Sequence, residues 1–150
     1  MKKYLLNAVL VVLMGFLLPT SAKSQNFEKV EGSKVKTEVQ LARKFSESLL
    51  NAFKNNEVLV LKEESTELMK STFTAEYQKV VRTQLQKEVG FYKSSEYVET
   101  WIEKSNPNFK IHRFKGDFTG TNKKVEIRTV LDEKNKVAGI YIKPWSDVLQ

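Results

Sequence analysis

Cysteine is absent from this chain of 150 residues, so no disulfide staples it, no thiolate serves as nucleophile or metal ligand, and no acceptor exists for a lipoprotein anchor. Stability must come from packing. Histidine is nearly absent: His112 stands alone, and any histidine-centred metal site or Ser-His-Asp triad must be built around it. Asn-x-Ser/Thr sequons, internal repeats and low-complexity blocks are also missing. A membrane span is excluded by length, because the one long apolar run, Tyr4 to Leu18, is fifteen residues with Asn7 inside it. A spanning helix needs ~20.

That run has another meaning. Lys2 and Lys3 precede it, and Pro19 and the small residues Thr20, Ser21, Ala22 and Ser24 follow, which is the three-part pattern of a secretory signal peptide. The expectation is a signal over residues 1–24 with the cut before Gln25, and an exported product, periplasmic or secreted. Much of the apparent basicity belongs to that segment: the balance of 25 basic against 18 acidic residues falls to 22 against 18 once Lys2, Lys3 and Lys23 are removed. Charge this small, interspersed with acids, argues against nucleic acid as a partner. The remaining 126 residues fit one domain.

Residues 25–36 carry Gly32, Ser33 and little periodicity, and read as a tether. Thr37 with Gln40 three residues on has the spacing of a capping box. Leu41, Ala42, Phe45, Leu49, Ala52 and Phe53 then recur at helical spacing up to Lys54-Asn55-Asn56. From Glu57 to Met69 a broken or short second helix is expected. Thr74 opens a third helix, with Tyr77, Val80, Val81, Leu85 and Val89 on one stripe and Gly90 past its end.

After Gly90 the period changes to two. Extended segments are expected at Glu96 to Lys104 and Phe109 to Lys115, separated by a turn at Asn106-Pro107-Asn108, with a break from Gly116 to Asn122. Lys124 to Leu131 and Lys136 to Lys143 flank the turn-forming Asp132 to Asn135. If Leu131 faces Lys136, Val125 meets Ile142, Ile127 meets Ile140 and Thr129 meets Ala138, while Arg128 meets Gly139. A glycine opposite a long side chain suggests a bulge or bend there. The predicted class is α+β: N-terminal helices on a curved antiparallel sheet of about four strands, cone-like, over residues 37–144, with 145–150 as a tail.

Leu41-Ala42-Arg43-Lys44-Phe45 continuing to Phe53, the helix end Glu88-Val89-Gly90-Phe91, and above all the last strand from Lys136 to Pro144 give residues 37–144 a likeness. This segment resembles the cone-shaped nuclear transport factor two-like superfamily, in particular exported bacterial domains of unknown function, some of which precede α/β hydrolases. The resemblance implies a concave pocket. It implies no particular reaction: the superfamily's isomerases and dehydratases use an acidic or histidine base facing hydrogen-bond donors, and this chain carries no such motif.

The residues expected around the pocket are Phe53, Tyr77, Phe91, Tyr97, Trp101 and Tyr141, with Tyr77, Tyr141 and Trp101 offering hydrogen bonds to a ligand. As a base, Asp117 or His112 is the alternative, although Gly116-Asp117 also reads as a turn and His112, between Lys110 and Arg113, as a solvated strand residue. The carboxylate sets Glu63, Glu64, Glu67 and Glu96, Glu99, Glu103 lack calcium-loop spacing and read as solvated charge. Lys110, Arg113, Lys115, Lys123, Lys124 and Arg128, interleaved with Phe109, Phe114 and Phe118, have the composition of a glycan-binding face or of a charged strand edge. No metal and no cofactor is expected. The functional expectation is a non-catalytic domain binding a small or extended ligand in the cone, or a protein partner on the sheet; the alternatives are an isomerase or dehydratase and a scaffold that forms a homodimer through the sheet.

Overall fold

The computed structural model describes residues 26–149; the expected signal segment lies outside the described residues. A short strand, β1 (Phe27–Val30), and a 3-10 turn (Gly32–Lys34) lead into helices α1 (Lys36–Lys54), α2 (Glu67–Thr72) and α3 (Ala75–Val89). Four longer strands follow: β2 (Tyr92–Glu103), β3 (Asn106–Phe118), β4 (Val125–Leu131) and β5 (Val137–Pro144). They form one five-stranded antiparallel sheet in the order β1-β2-β3-β4-β5. The α+β class expected from sequence is therefore present, with one strand more than the expected four.

The extra strand comes from the supposed tether. Phe27 pairs with Glu103 and Val30 with Thr100, so residues 27–30 extend the sheet past β2 instead of hanging free. Phe27 is buried, and that gain outweighs the weak strand signal of a four-residue segment with two charges.

Helix α1 presents Ala42, Phe45, Leu49, Leu50 and Phe53 to the core, where they meet Phe114, Ile127, Ile140 and Ile142 of the sheet. Each of the Phe, Leu and Ile side chains among them contributes roughly 1.5–3 kcal/mol by leaving water, which holds the helix on the sheet. The predicted capping box does not form. The helix starts two residues earlier, at Lys36, with Val35 at the cap and no side-chain cap bond. Val35 is almost fully buried, and anchoring it fixes the start of the helix in place of the Thr37 hydroxyl. At the other end Asn56 takes φ 59°, the left-handed conformation that Asn tolerates.

Residues 57–63 are not helical; α2 begins only at Glu67, capped by Thr66, whose Oγ1 accepts from Met69 N at 3.2 Å. In α3 Thr74 caps Tyr77 N at 3.3 Å. Val80 is exposed, and its expected place on the buried stripe is taken by Gln78. Gln78 satisfies its amide with the main chain of Leu59, at 2.8 and 2.9 Å, and with Phe73 O at 3.2 Å, tying the non-helical stretch to α3. Periodicity alone does not reveal a polar group that is buried because it is fully bonded.

The β2–β3 reversal occurs at Lys104 and Ser105, where Glu103 pairs with Asn106. Asn106, Pro107 and Asn108 lie inside β3, and the register jumps between Ile102, which faces Lys110, and Glu103, which faces Asn106. Proline lacks the N–H that a ladder needs, so its turn chemistry is spent on this bulge. Strand β3 also runs on to Phe118, which places Gly116 and Asp117 in the strand and not in a turn.

Between β4 and β5 the register differs from expectation by two residues: Ile127 meets Ile142, Thr129 meets Ile140 and Val130 meets Gly139. Leu131 pairs with Val137, leaving Ala138 as the bulged residue beside Gly139. A shift of two keeps every side chain on its expected face. The cause is the loop: Asp132 Oδ1 accepts from Lys134 N and Lys136 N at 2.9 and 2.8 Å, and Asn135 sits at φ 60°, which draws Lys136 into the turn.

Candidate functional site

The cross-strand register divides the chemistry-bearing residues between two faces. On the helix side, Tyr97 pairs with Phe114 and Phe114 with Ile127, while Thr100 pairs with His112 and His112 with Thr129. On the opposite side, Glu99 pairs with Arg113 and Arg113 with Arg128, flanked by Lys115, Glu126, Tyr141 and Lys143. The basic and aromatic stretch is thereby split. Phe114 and Phe118 point into the core with Lys110 on their side, whereas Arg113 and Lys115 project the other way.

The six expected pocket residues do not share one wall. Phe53 is buried in the core; Tyr77 packs edge-on against Phe73 with ring centroids 6.0 Å apart; Phe91 is exposed. Tyr97 lies on the helix side, edge-on to Phe114 at 5.8 Å. Trp101 and Tyr141 lie on the other face, opposite Ile111 and Arg128 respectively. The pocket that Phe53 lines with Leu50, Leu85, Phe91, Tyr92 and Phe118 holds about 10 Å³ of free space.

His112 is fully buried, contrary to its reading as a solvated residue, because alternation in β3 turns it toward α1. Its Nδ1 lies 2.9 Å from Thr100 Oγ1, which lies 2.9 Å from the Tyr97 hydroxyl. Burial pushes the imidazole down to about 4; nearby Glu38 opposes that shift and Lys110 adds to it. Lys110 itself donates to Glu38 of α1 at 2.7 Å, and this hydrogen bond holds the Glu38 carboxyl below the usual carboxylate range. Asp117, the other candidate base, is partly exposed and paired with Lys124 through both oxygens, at 2.7 and 2.8 Å.

Asp117 lines an open cleft of about 350 Å³ with Lys93, Phe118, Thr119, Thr121 and Asn122. Its wall is anchored. Thr119 N donates to Phe91 O and Gly120 N to Val89 O, both at 2.8 Å, and the Thr119 hydroxyl accepts from Phe91 N at 2.8 Å. The β3–β4 loop is thus fastened to the end of α3, where Gly90 adopts φ 80° to allow the approach. The cleft offers an ammonium, a carboxylate, an amide and two hydroxyls in one concavity, the donor and acceptor set that suits a small polar molecule.

The opposite face holds a buried ionic cluster that residue type alone did not single out. Arg113 donates from Nε to Glu126 Oε1 at 2.7 Å, from Nη2 to Glu126 Oε2 at 3.1 Å, and from Nη1 to Glu99. Arg128 donates to the same Glu126, and Lys29 of β1 reaches Glu99 at 3.0 Å. Burial alone would raise the Glu126 carboxyl, but the two guanidinium groups outweigh it and hold it low. Over this cluster lies the segment after β5. Ser146 O accepts from Arg113 Nη2 at 2.6 Å, and the Trp145 ring takes Arg113 at 4.6 Å and Lys115 at 4.3 Å. The supposed tail is a strap. Alternation of Arg113, Glu126 and Arg128 on one face, and a tryptophan just past Pro144, are the sequence signals that point to it.

Among the described residues no group of three or more His, Asp or Glu side chains is arranged to hold a metal ion, and no helix is long and apolar enough to cross a membrane. No family model matches the chain, and no curated protein or solved structure matches it.

Proposed function

We propose that this chain is an exported, non-catalytic binding domain that takes a small polar ligand in a concavity beside its sheet, on the cone-shaped plan that residues 37–144 resemble. The observation that supports this reading is the cleft of Lys93, Asp117, Thr119, Thr121 and Asn122, whose volume of about 350 Å³ falls within the range of small-molecule sites. Its loop is braced against α3, so the polar groups are held in place before a ligand arrives.

An isomerase or dehydratase is the weaker reading. His112 is sealed from solvent, and Asp117 is engaged by Lys124, so neither stands ready to take a proton from a bound substrate. A homodimer through the outer sheet face is weaker too, because the Trp145 strap already covers Arg113.

The test is a thermal-shift screen of the protein against small polar metabolites and cell-wall fragments, repeated with Asn122→Ala and Lys93→Ala. Binding raises the melting temperature with the logarithm of ligand excess over Kd, and the cleft variants reduce that rise. A screen in which nothing shifts the protein, or in which shifts survive both variants, overturns the reading.

A further inference from the structure

The row Thr100, His112 and Thr129 crosses three adjacent strands on the helix side of the sheet, and all three side chains are fully buried. One end of the row is satisfied: the Tyr97 hydroxyl meets Thr100 Oγ1, and Thr100 Oγ1 meets His112 Nδ1, each at 2.9 Å. The other end is not. Among the described residues, neither His112 Nε2 nor Thr129 Oγ1 has a hydrogen-bond partner.

An orphaned buried donor or acceptor is costly, and nearly all such groups in folded proteins find a partner. Two on directly opposed residues call for one explanation. Side chains opposed across an antiparallel pair have Cβ atoms ~5 Å apart, so a single oxygen can reach both. The relay supplies the proton: if Tyr97 donates to Thr100 and Thr100 to Nδ1, the imidazole hydrogen sits on Nε2 and faces that oxygen as a donor. Burial keeps the ring neutral, which suits a neutral acceptor better than an anion.

We propose that the space between His112 Nε2 and Thr129 Oγ1 is a binding site for one neutral hydrogen-bonding oxygen, supplied by a trapped water molecule or by a carbonyl or hydroxyl group of a small ligand. The ligand source rests on the binding function proposed above; the water source does not.

The test uses Thr129→Val, which removes the hydroxyl and keeps the shape. An occupied site predicts a melting temperature lower by several degrees and a nitrogen-15 spectrum in which His112 carries its proton on Nε2. A truly orphaned hydroxyl predicts the opposite, since replacing it by a methyl group relieves a buried unmet bond; a melting temperature unchanged or raised, or a proton on Nδ1, overturns the site. The source is read by unfolding the wild type in urea and refolding it in plain buffer. If the Thr129→Val deficit persists after refolding, the oxygen is water; if the wild type falls to the level of the variant, a ligand has been stripped away. A silent metabolite screen with a persistent deficit defeats the binding function and leaves this site standing.

Discussion

Arg113 and Glu126 form a two-pronged ion pair, 2.7 and 3.1 Å, with both side chains fully withdrawn from solvent. Removing Glu126 takes the two-pronged acceptor from a buried guanidinium and leaves it Glu99 as its carboxylate, and breaking a buried pair costs up to about 3–5 kcal/mol. Glu126→Ala is therefore expected to lower unfolding free energy by about that amount in urea titration, and Arg128 loses its carboxylate at the same time. By contrast, Glu67→Ala removes an exposed pair with Lys70 that solvent already screens, and is expected to leave the urea midpoint almost unchanged.

Acid should weaken the protein in two separate stages. The His112 imidazole is held at about 4 in the fold against an ordinary 6.5, so between those pH values the unfolded chain binds the extra proton. Stability is therefore full above pH 6.5 and declines as pH falls toward 4, by roughly 3 kcal/mol if the whole shift is expressed. Glu126 acts at the acid end of that range and below it: its lowered carboxyl gives full stabilisation above its unfolded value of about 4.5, and the contribution fades as pH falls below that value. Urea titrations from pH 8 to 4 with His112→Gln should show the first decline abolished. An unchanged slope rules out His112 as its source.

Helix caps show what is legible in the sequence. Thr74 reads as a helix start, and it is one; Thr37 with Gln40 has equally good spacing and caps nothing, because burial of Val35 sets where α1 begins. Local chemistry was decisive only where no stronger tertiary contact competed. Strand alternation told which residues share a face, and a two-residue slip at Ala138 left those faces intact. It did not tell which face the helices cover for a residue such as His112, or that Trp145 folds back over Arg113, since both depend on contacts distant in sequence.

Capping can be tested directly. Thr66→Ala and Thr74→Ala each remove a side-chain bond to a helix-end N–H and are expected to cost ~1 kcal/mol. Thr37→Ala is expected to stay within about 0.5 kcal/mol of wild type, as other exposed positions do. Equal losses at all three positions in chemical denaturation contradict the cap assignment at Val35.

Glycine substitutions probe the brace that holds the candidate cleft. A Cβ at Gly120 meets main-chain atoms, Val89 C at 2.8 Å and Gly90 N at 2.9 Å, and main chain cannot rotate away as a side chain does. Gly120→Ala must therefore push the β3–β4 loop off α3, and overpacking of this kind costs about 1–3 kcal/mol. At Gly32 the same Cβ finds Tyr97 Cε1 at 3.7 Å, an ordinary contact, so Gly32→Ala is expected to be neutral or to stabilise by up to about 1 kcal/mol through the unfolded chain. Because Thr119 and Thr121 line the cleft from that loop, Gly120→Ala should also weaken any ligand that the screen identifies, whereas Gly32→Ala should not. Ligand-induced melting shifts measured on both variants separate a braced cleft from one that tolerates loop movement.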